Sequence, residues 1–465
     1  MNMINVRRLA VMTFLGAGML SDISAQDFSL QADTLNEARL PAQWDLQSCI
    51  DYALEQNITI RKNRVTAEST QIDVKTAKAA LFPSLSFSTS QQVVNRPYQE
   101  TSSRVSGSEI ISSNSKTSYN GNYGLNASWT IYNGSKRLKT LKQERLNNQV
   151  AELDVATSEN TIKESIAQIY IQILYAAESV RVNENTLQVS IAQRDRGQEL
   201  LNAGSIAKSD FAQLEAQVST DRYQLVTAQA TLQDYKLQLK QLLERDGENE
   251  MNVYLPKLSD ENVLAPLPAK KDVYVSALAI RPEIEASKLN VEASELGIDI
   301  AKSSYFPTIS LSAGIGTNHT SGSDFTFGEQ VKNGWNNSIG LSVSVPIFNN
   351  RQTKSAVQKA KLQRETDMLS LLDEQKALYK TIESLWLDAN SAQQRYAAAN
   401  EKLRSTQISY DLISEQFNLG MKNTVELLTE KNNLLQAQQE QLQAKYMAIL
   451  NTQLLKFYQG DKLTL

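Results

Sequence analysis

Two stretches of one chain, LFPSLSFSTS at 81–90 and YFPTISLSAG at 305–314, set an aromatic and a proline before a strict alternation of apolar and small polar residues. The likeness is wider than these segments. At a constant spacing of 224 positions, Ala53, Leu54, Ile60, Glu68, Ala77, Lys78, Phe82, Pro83, Ser86 and Ser88 recur as Ala277, Leu278, Ile284, Glu292, Ala301, Lys302, Phe306, Pro307, Ser310 and Ser312. Self-similarity at fixed spacing constrains architecture more than any local propensity does, because each copy must build the same unit. The chain reads as a tandem duplication, with one repeat over 26–246, a connection at 247–272 and a second repeat over 273–460, followed by a short tail at 461–465.

Glycine placement separates two kinds of segment within each repeat. Ten of the 18 glycines fall in 84–134 and 308–350, whereas 135–196, 205–246, 351–419 and 421–459 contain neither glycine nor proline. The latter stretches are rich in the residues that lose least on entering a helix. In 209–245, Phe211, Leu214, Val218, Leu225, Ala228, Leu232, Tyr235, Leu239 and Leu242 keep an alternating 3–4 spacing that only Asp221 interrupts. Ile162, Ile166, Ile169, Ile173, Ala176 and Val180 do the same, and Leu428, Leu435, Leu442 and Ile449 recur every seven residues. Sustained spacing of this kind predicts long helices packed as coiled coils.

The glycine-bearing segments have the other period. Tyr119, Tyr123, Leu125, Ala127, Trp129 and Ile131 share one face of an extended chain, while Asn120, Asn122, Asn126, Ser128 and Thr130 share the other. Trp335, Ile339, Leu341, Val343, Val345 and Ile347 stand against Asn336, Ser338, Ser342 and Ser344 in the same way. The pattern predicts four strands, at 84–94, 119–133, 308–318 and 335–348, in two hairpins. The polar links 97–117 and 321–334 read as exposed loops. Pro83 and Pro307 each stand where a helical period stops and an alternating one starts, which marks them as helix-to-strand junctions.

The N-terminus adds a compartment. Arg7 and Arg8, the apolar run Leu9–Leu20 and the stretch Ile23-Ser24-Ala25, with a small residue at the cleavage position, follow the plan of a secretory signal peptide over 1–25, cut before Gln26. No later stretch is apolar for long enough to cross a bilayer as a helix. With 47 basic and 51 acidic residues the chain lacks the concentrated positive charge that nucleic acid requires. Cys49 is the sole cysteine, so no intrachain disulfide can form, and its apolar neighbours make it a small buried hydrophobe.

An exported chain whose strands are apolar on one face, Ser/Asn-rich on the other and flanked by aromatics (Tyr98, Tyr119, Trp335, Phe348) fits an outer-membrane barrel wall. Four strands cannot close a barrel, and lipid does not tolerate an open edge, so other copies must complete it. The duplicated AKAALFPSLSFS and AKSSYFPTISLS, the strand exits WTIYNGSK and VPIFNNRQ, and the turns LNAGSIAKSDF and FNLGMKNTVEL together resemble the TolC-like family of outer-membrane efflux proteins. The resemblance implies a mainly α fold in which duplicated long helical hairpins form a trimeric α-barrel continuous with a 12-stranded outer-membrane β-barrel, four strands per chain. It implies a passive exit duct without cofactor, serving a periplasmic adaptor (membrane fusion protein) and an inner-membrane transporter of RND, ABC or MFS type.

It also assigns roles to particular residues. Gly204 and Gly420 would be hairpin tips at the periplasmic mouth. Asp210 would tie to Lys422, a lysine where the family has arginine, giving a link without the bidentate fork. Phe417 takes an aromatic gate position and lacks the hydroxyl found there in the family. Glu426 maps onto an acidic ring, and Thr429 takes the place of a second acid, with Glu430 beside it. Three alternatives stand against this reading. A type I protein secretion channel has the same architecture. A soluble periplasmic coiled-coil adaptor is also exported but has a single hairpin tip. An enzyme built on His319, Ser321 and Asp324 in the TNHTSGSD loop would need a convergent site that nothing else in the sequence supplies.

Overall fold

The computed structural model describes residues 41, 43–98, 102–106, 109–113, 116–245, 251–256, 263–321, 323 and 325–464. The signal-peptide assignment lies outside the described residues, as do most of 26–44 and Asp324. The chain falls into two compact units, Met1–Trp44 and Asp45–Leu465, and the second is described here.

Its elements run α1 (Leu46–Gln56), α2 (Ile58–Ala79), β1 (Ser84–Asn95), β2 (Ser102–Ser106), β3 (Glu109–Ser113), β4 (Thr117–Asn133), α3 (Lys136–Asn202), α4 (Lys208–Leu242), α5 (Lys270–Ile280), α6 (Pro282–Ser303), β5 (Thr308–Thr320), α7 (Phe327–Asn333), β6 (Asn336–Ser344), α8 (Gln352–Asn418) and α9 (Thr424–Gln459). Helices α3 and α8 are 67 residues each, about 100 Å at the standard rise of roughly 1.5 Å per residue. Each folds back on a shorter partner, α4 or α9, to make one long hairpin per repeat. None of the described helices is apolar enough to cross a membrane.

The four main strands form one antiparallel sheet in the order β1-β4-β5-β6, so that β4 and β5 join the two repeats. Register pairs Leu85 with Ala127, Phe87 with Leu125, Trp129 with Leu311 and Leu311 with Leu341. One face is therefore apolar, and the other carries Ser, Asn, Thr, Gln and Gly with a single valine. Much of the sheet is open: Ile339 is 83% exposed and every residue of β6 is exposed, while α7 lies against the end of β5, where Thr317 Oγ1 donates to the Val331 carbonyl at 2.8 Å. Among the described residues, strands β1 and β6 have no partner on their outer edges.

Three departures from the expected pattern have local causes. A bulge lies between Thr130 and Tyr132, so Tyr132, not Ile131, stands opposite Ile309 and the strict alternation ends there. The link 97–117 is not all loop, because β2 and β3 pair as a second hairpin. Val105, Ile110 and Ile111 flank Gly107 and Ser108 in the sequence, a short β-branched signal that the surrounding serines obscure. The link 321–334 contains α7, whose capping box of Thr326 and Glu329 supplies its start: the Thr326 amide donates to Glu329 Oε2 at 2.8 Å.

The strand-to-helix corners use left-handed backbone twice in succession. Gly134 and Ser135 have φ of 66° and 64°, and the equivalent Asn350 and Arg351 have 53° and 66°. Pro83 and Pro307 directly precede β1 and β5, in short turns that leave α2 and α6. At the first of these turns the Leu81 and Phe82 amides still bond back to the helix, and the Leu81 carbonyl accepts from the Trp129 indole at 2.8 Å.

At mid-length the second repeat has a core of Val273, Ala277, Ile284, Leu378, Ile382, Ala389, Leu455 and Tyr458. The connection is strapped onto α8, with the Trp386 indole donating to the Pro268 carbonyl (3.0 Å) and the Gln393 amide to those of Val263 and Ala265 (3.0 and 2.8 Å). Cys49 is fully buried, and burial pushes its thiol up to about 12, which leaves it unreactive.

Candidate functional site

The two hairpin tips are built alike. Gly204 and Gly420 end α3 and α8 with φ of +74° and +73°. At the first tip the Gly204 and Ser205 amides donate to Leu201 and Leu200 carbonyls, and at the second those of Gly420 and Met421 donate to Phe417 and Gln416. This is the paired bonding of a left-handed helix stop, and it is why glycine stands there. A Cβ on either glycine would meet no atom, so the backbone angle alone makes the demand.

Asp210 and Glu426 occupy equivalent positions, three residues into α4 and α9. Asp210 accepts from the Ala207 amide at 3.3 Å. Glu426 closes a full capping box, accepting from the Asn423 amide (3.2 Å) while its own amide donates to Asn423 Oδ1 (2.9 Å). Lys422 donates to Glu426 Oε1 at 2.5 Å. That hydrogen bond and the Asn423 amide hold the Glu426 carboxyl below the usual carboxylate range. Within one chain Lys422 is thus joined to Glu426, and Asp210 is engaged separately on its own hairpin. Thr429 turns its hydroxyl back to the Val425 carbonyl.

Phe417 is buried with Leu214 and Leu427, and Leu200, Tyr410, Ile413 and Leu428 close the cluster. Its ring packs between the hairpins. Gly197, inside α3, faces the same place: a Cβ there would sit 2.4 Å from Leu214 Cδ1, so a larger residue would push the Leu214 side chain aside. Two signals of this arrangement were present in the sequence, the Asn423-x-x-Glu426 box and the lone glycine inside a helical pattern.

The buried surface below mid-length is not wholly apolar. Asp221 (α4), Lys431 (α9) and Ser190 (α3) meet as a node in which Lys431 Nζ donates to Asp221 Oδ2 and Ser190 Oγ, and Ser190 Oγ donates to Asp221 Oδ2. Burial pulls the Lys431 amine down from its ordinary value, and the bond to Asp221 opposes that. The loop histidine has no such convergence. His319 lies between the rings of Tyr119 and Phe327, at 5.6 and 5.1 Å, and Ser321 Oγ accepts from the Tyr119 amide at 2.6 Å. Among the described residues no group of three acidic, cysteine or histidine side chains is placed to hold a metal.

The family model for outer membrane efflux proteins matches residues 49–245 and 273–460, one block for each repeat. The chain belongs to the outer membrane efflux protein family. The outer membrane efflux protein BepC of Brucella suis is 25% identical over 294 residues, 63% of this chain and 61% of that protein. TolC of Escherichia coli strain K12 is 24% identical over 341 residues, 70% of this chain and 66% of its own length. The chain thus spans just over three fifths to two thirds of these relatives. A solved structure of CusC superposes with a TM-score of 0.76 at 19% identity, covering 90% of this chain and 92% of that one, and carries the fold. The superposition shows that this chain shares its fold with CusC.

Proposed function

We propose that three copies of this chain assemble into the outer-membrane channel of a tripartite efflux system. The observation that carries the reading is the sheet, which is apolar on one side, polar on the other, exposed along β6 and, among the described residues, unpaired at the outer edges of β1 and β6. In lipid such edges must be closed, and three copies of four strands give one twelve-stranded barrel with its Ser/Asn face lining water. The helical hairpins continue the wall into the periplasm. There they meet a periplasmic adaptor fed by an energised inner-membrane transporter of RND, ABC or MFS type.

The tips form the mouth. Asp210 and Lys422 stand on different hairpins of one chain and are free to engage across subunits, where Lys422 would be shared between Asp210 of a neighbour and its own Glu426. Three Glu426 carboxylates, kept ionised by their lysines, favour cations at the constriction. Asp210→Ala and Lys422→Ala are each expected to raise resting conductance in planar bilayers. The expected rise is on the order of two- to fivefold, the shift that an exposed pair of about 0.5–1 kcal/mol supports. Unchanged conductance in both variants removes these residues from the gate.

The assembly is tested by the protein mass of the detergent-extracted particle, from light scattering corrected for bound detergent. Three chains support the closed barrel. A stable monomer leaves the strand edges open in lipid and overturns it.

A further inference from the structure

We infer that the Ser190–Asp221–Lys431 node is a fixed joint about which the hairpin tips move, so that its members are positioning residues for gating. The inference rests on the reading of the tips as a mouth. Asp221 is the single polar break in the apolar stripe of α4, and Lys431 breaks the equivalent stripe of α9 between Leu427 and Leu434. Asp221, Ser190 and Lys431 are 1%, 2% and 3% exposed. Both Asp221 oxygens are used, since Gln217 Nε2 donates to Oδ1 at 2.9 Å. Gln217 also reaches Asn432 Oδ1 at 3.4 Å, and Gln193 donates to the Tyr410 hydroxyl at 2.9 Å. All four long helices are therefore bonded in one region, about 20 Å above the first tip and about 12 Å above the second at roughly 1.5 Å per residue.

A buried ion pair adds little net stability, but separating its partners is costly, because each is left charged and dry. Polar residues in an otherwise apolar helical seam accordingly fix register. Sliding the second hairpin past the first by one turn would strand Asp221 and Lys431 together. Below the node the bonding changes character. The hairpins touch there through Leu214, Phe417 and Leu427, and the tip contacts of Asp210 and of Lys422 with Glu426 stay within one hairpin. Apolar contacts are not directional and let surfaces roll. A directional joint above a rolling contact is a fulcrum: the tips swing while the level of Ser190, Asp221 and Lys431 holds.

The test compares two double variants of the full-length channel, Asp221→Leu with Lys431→Met, and the exchange Asp221→Lys with Lys431→Asp. Spin labels at the equivalent tip residues Ala203 and Leu419 report the spread of tip-to-tip distances, and planar bilayers report resting conductance. The apolar pair is expected to assemble as the parent does, to broaden the tip distances and to raise conductance about threefold, the scale of a lost coupling. The exchanged pair is expected to return both to parental values, a rescue that a merely space-filling role would not produce. Parental tip distances in the apolar variant overturn the joint. Broadened distances at unchanged conductance keep the joint and remove the mouth reading instead. If the apolar variant does not assemble, the exchanged pair decides, parental distances supporting the joint and broadened ones overturning it. Failure of both to assemble also overturns it, because the node would then hold the fold and not the tips.

Discussion

Arg281→Met is expected to lower the stability of the mid-length core by about 3–5 kcal/mol, the usual consequence of removing one partner from a buried ionic cluster. Arg281 is nearly buried, and its guanidinium joins Glu164 of α3 (3.0 Å) and Glu283 of α6 (2.8 Å). It also lies 4.1 Å from the Tyr458 ring centroid, in α9. The substitution leaves two largely dehydrated carboxylates without a cation. Burial already pushes the Glu164 carboxyl up, and Arg281 is what pulls it back. The sign for pH follows. A carboxyl with a raised folded-state value binds more protons folded than unfolded, so its contribution falls as pH rises above the unfolded value. Without Arg281 that window widens, and the gap between variant and parent should narrow as pH is lowered from 8 toward 5. Thermal midpoints of the detergent-extracted protein at the two pH values check this. A gap that stays constant would mean that the cluster acts through packing alone.

The position of Arg281 shows what a sequence echo can and cannot disclose. Its counterpart in the first repeat is Asn57, which caps α2 with its side chain and donates to the Leu242 carbonyl at 3.0 Å. The duplication made both junctions legible, since Ile60 and Ile284 hold the same place in each. It could not reveal that one copy had exchanged a neutral cap for a cation, whose partners Glu164 and Tyr458 lie on distant helices. The long helices and four main strands were readable because their periods run for many residues. Hairpin β2–β3 and helix α7 were too short for period to outweigh their polar surroundings. At the tips, the glycines were legible from their place between two helical patterns. The Lys422–Glu426 pair was open to view as an i,i+4 spacing, but the likeness of Lys422 to a family position directed attention to Asp210. Asp221 stood out as a flaw in a stripe, and Lys431 did not, because the pair forms only when two hairpins from different repeats are laid together.

The strand-to-helix corners separate the two repeats most sharply, and Gly134→Ala is expected to abolish the detergent-stable assembly. A Cβ at Gly134 would lie 2.7 Å from the Ser303 carbonyl oxygen and 3.0 Å from Phe306 Cβ. Both belong to the junction of the other repeat, beside Pro307, and a backbone carbonyl cannot swing aside as a side-chain end can. The left-handed backbone at φ 66° adds about 1–2 kcal/mol for any residue with a Cβ, and forced overpacking typically adds about 1–3 kcal/mol more. The equivalent corner makes the opposite prediction. Asn350 already adopts φ 53° with a side chain, so Asn350→Gly should relieve strain at the price of some unfolded-chain freedom and leave assembly intact. The yield of heat-resistant oligomer on a gel, read for both variants, tests the contrast. Equal yields would mean that the corners are held by the sheet and the helices on either side of them, and that the contact of Gly134 with Ser303 and Phe306 is incidental. A loss confined to Gly134→Ala would show that the first repeat's strand exit is seated on the second repeat's helix-to-strand turn, so that the membrane sheet inherits its orientation from this one close approach between the copies.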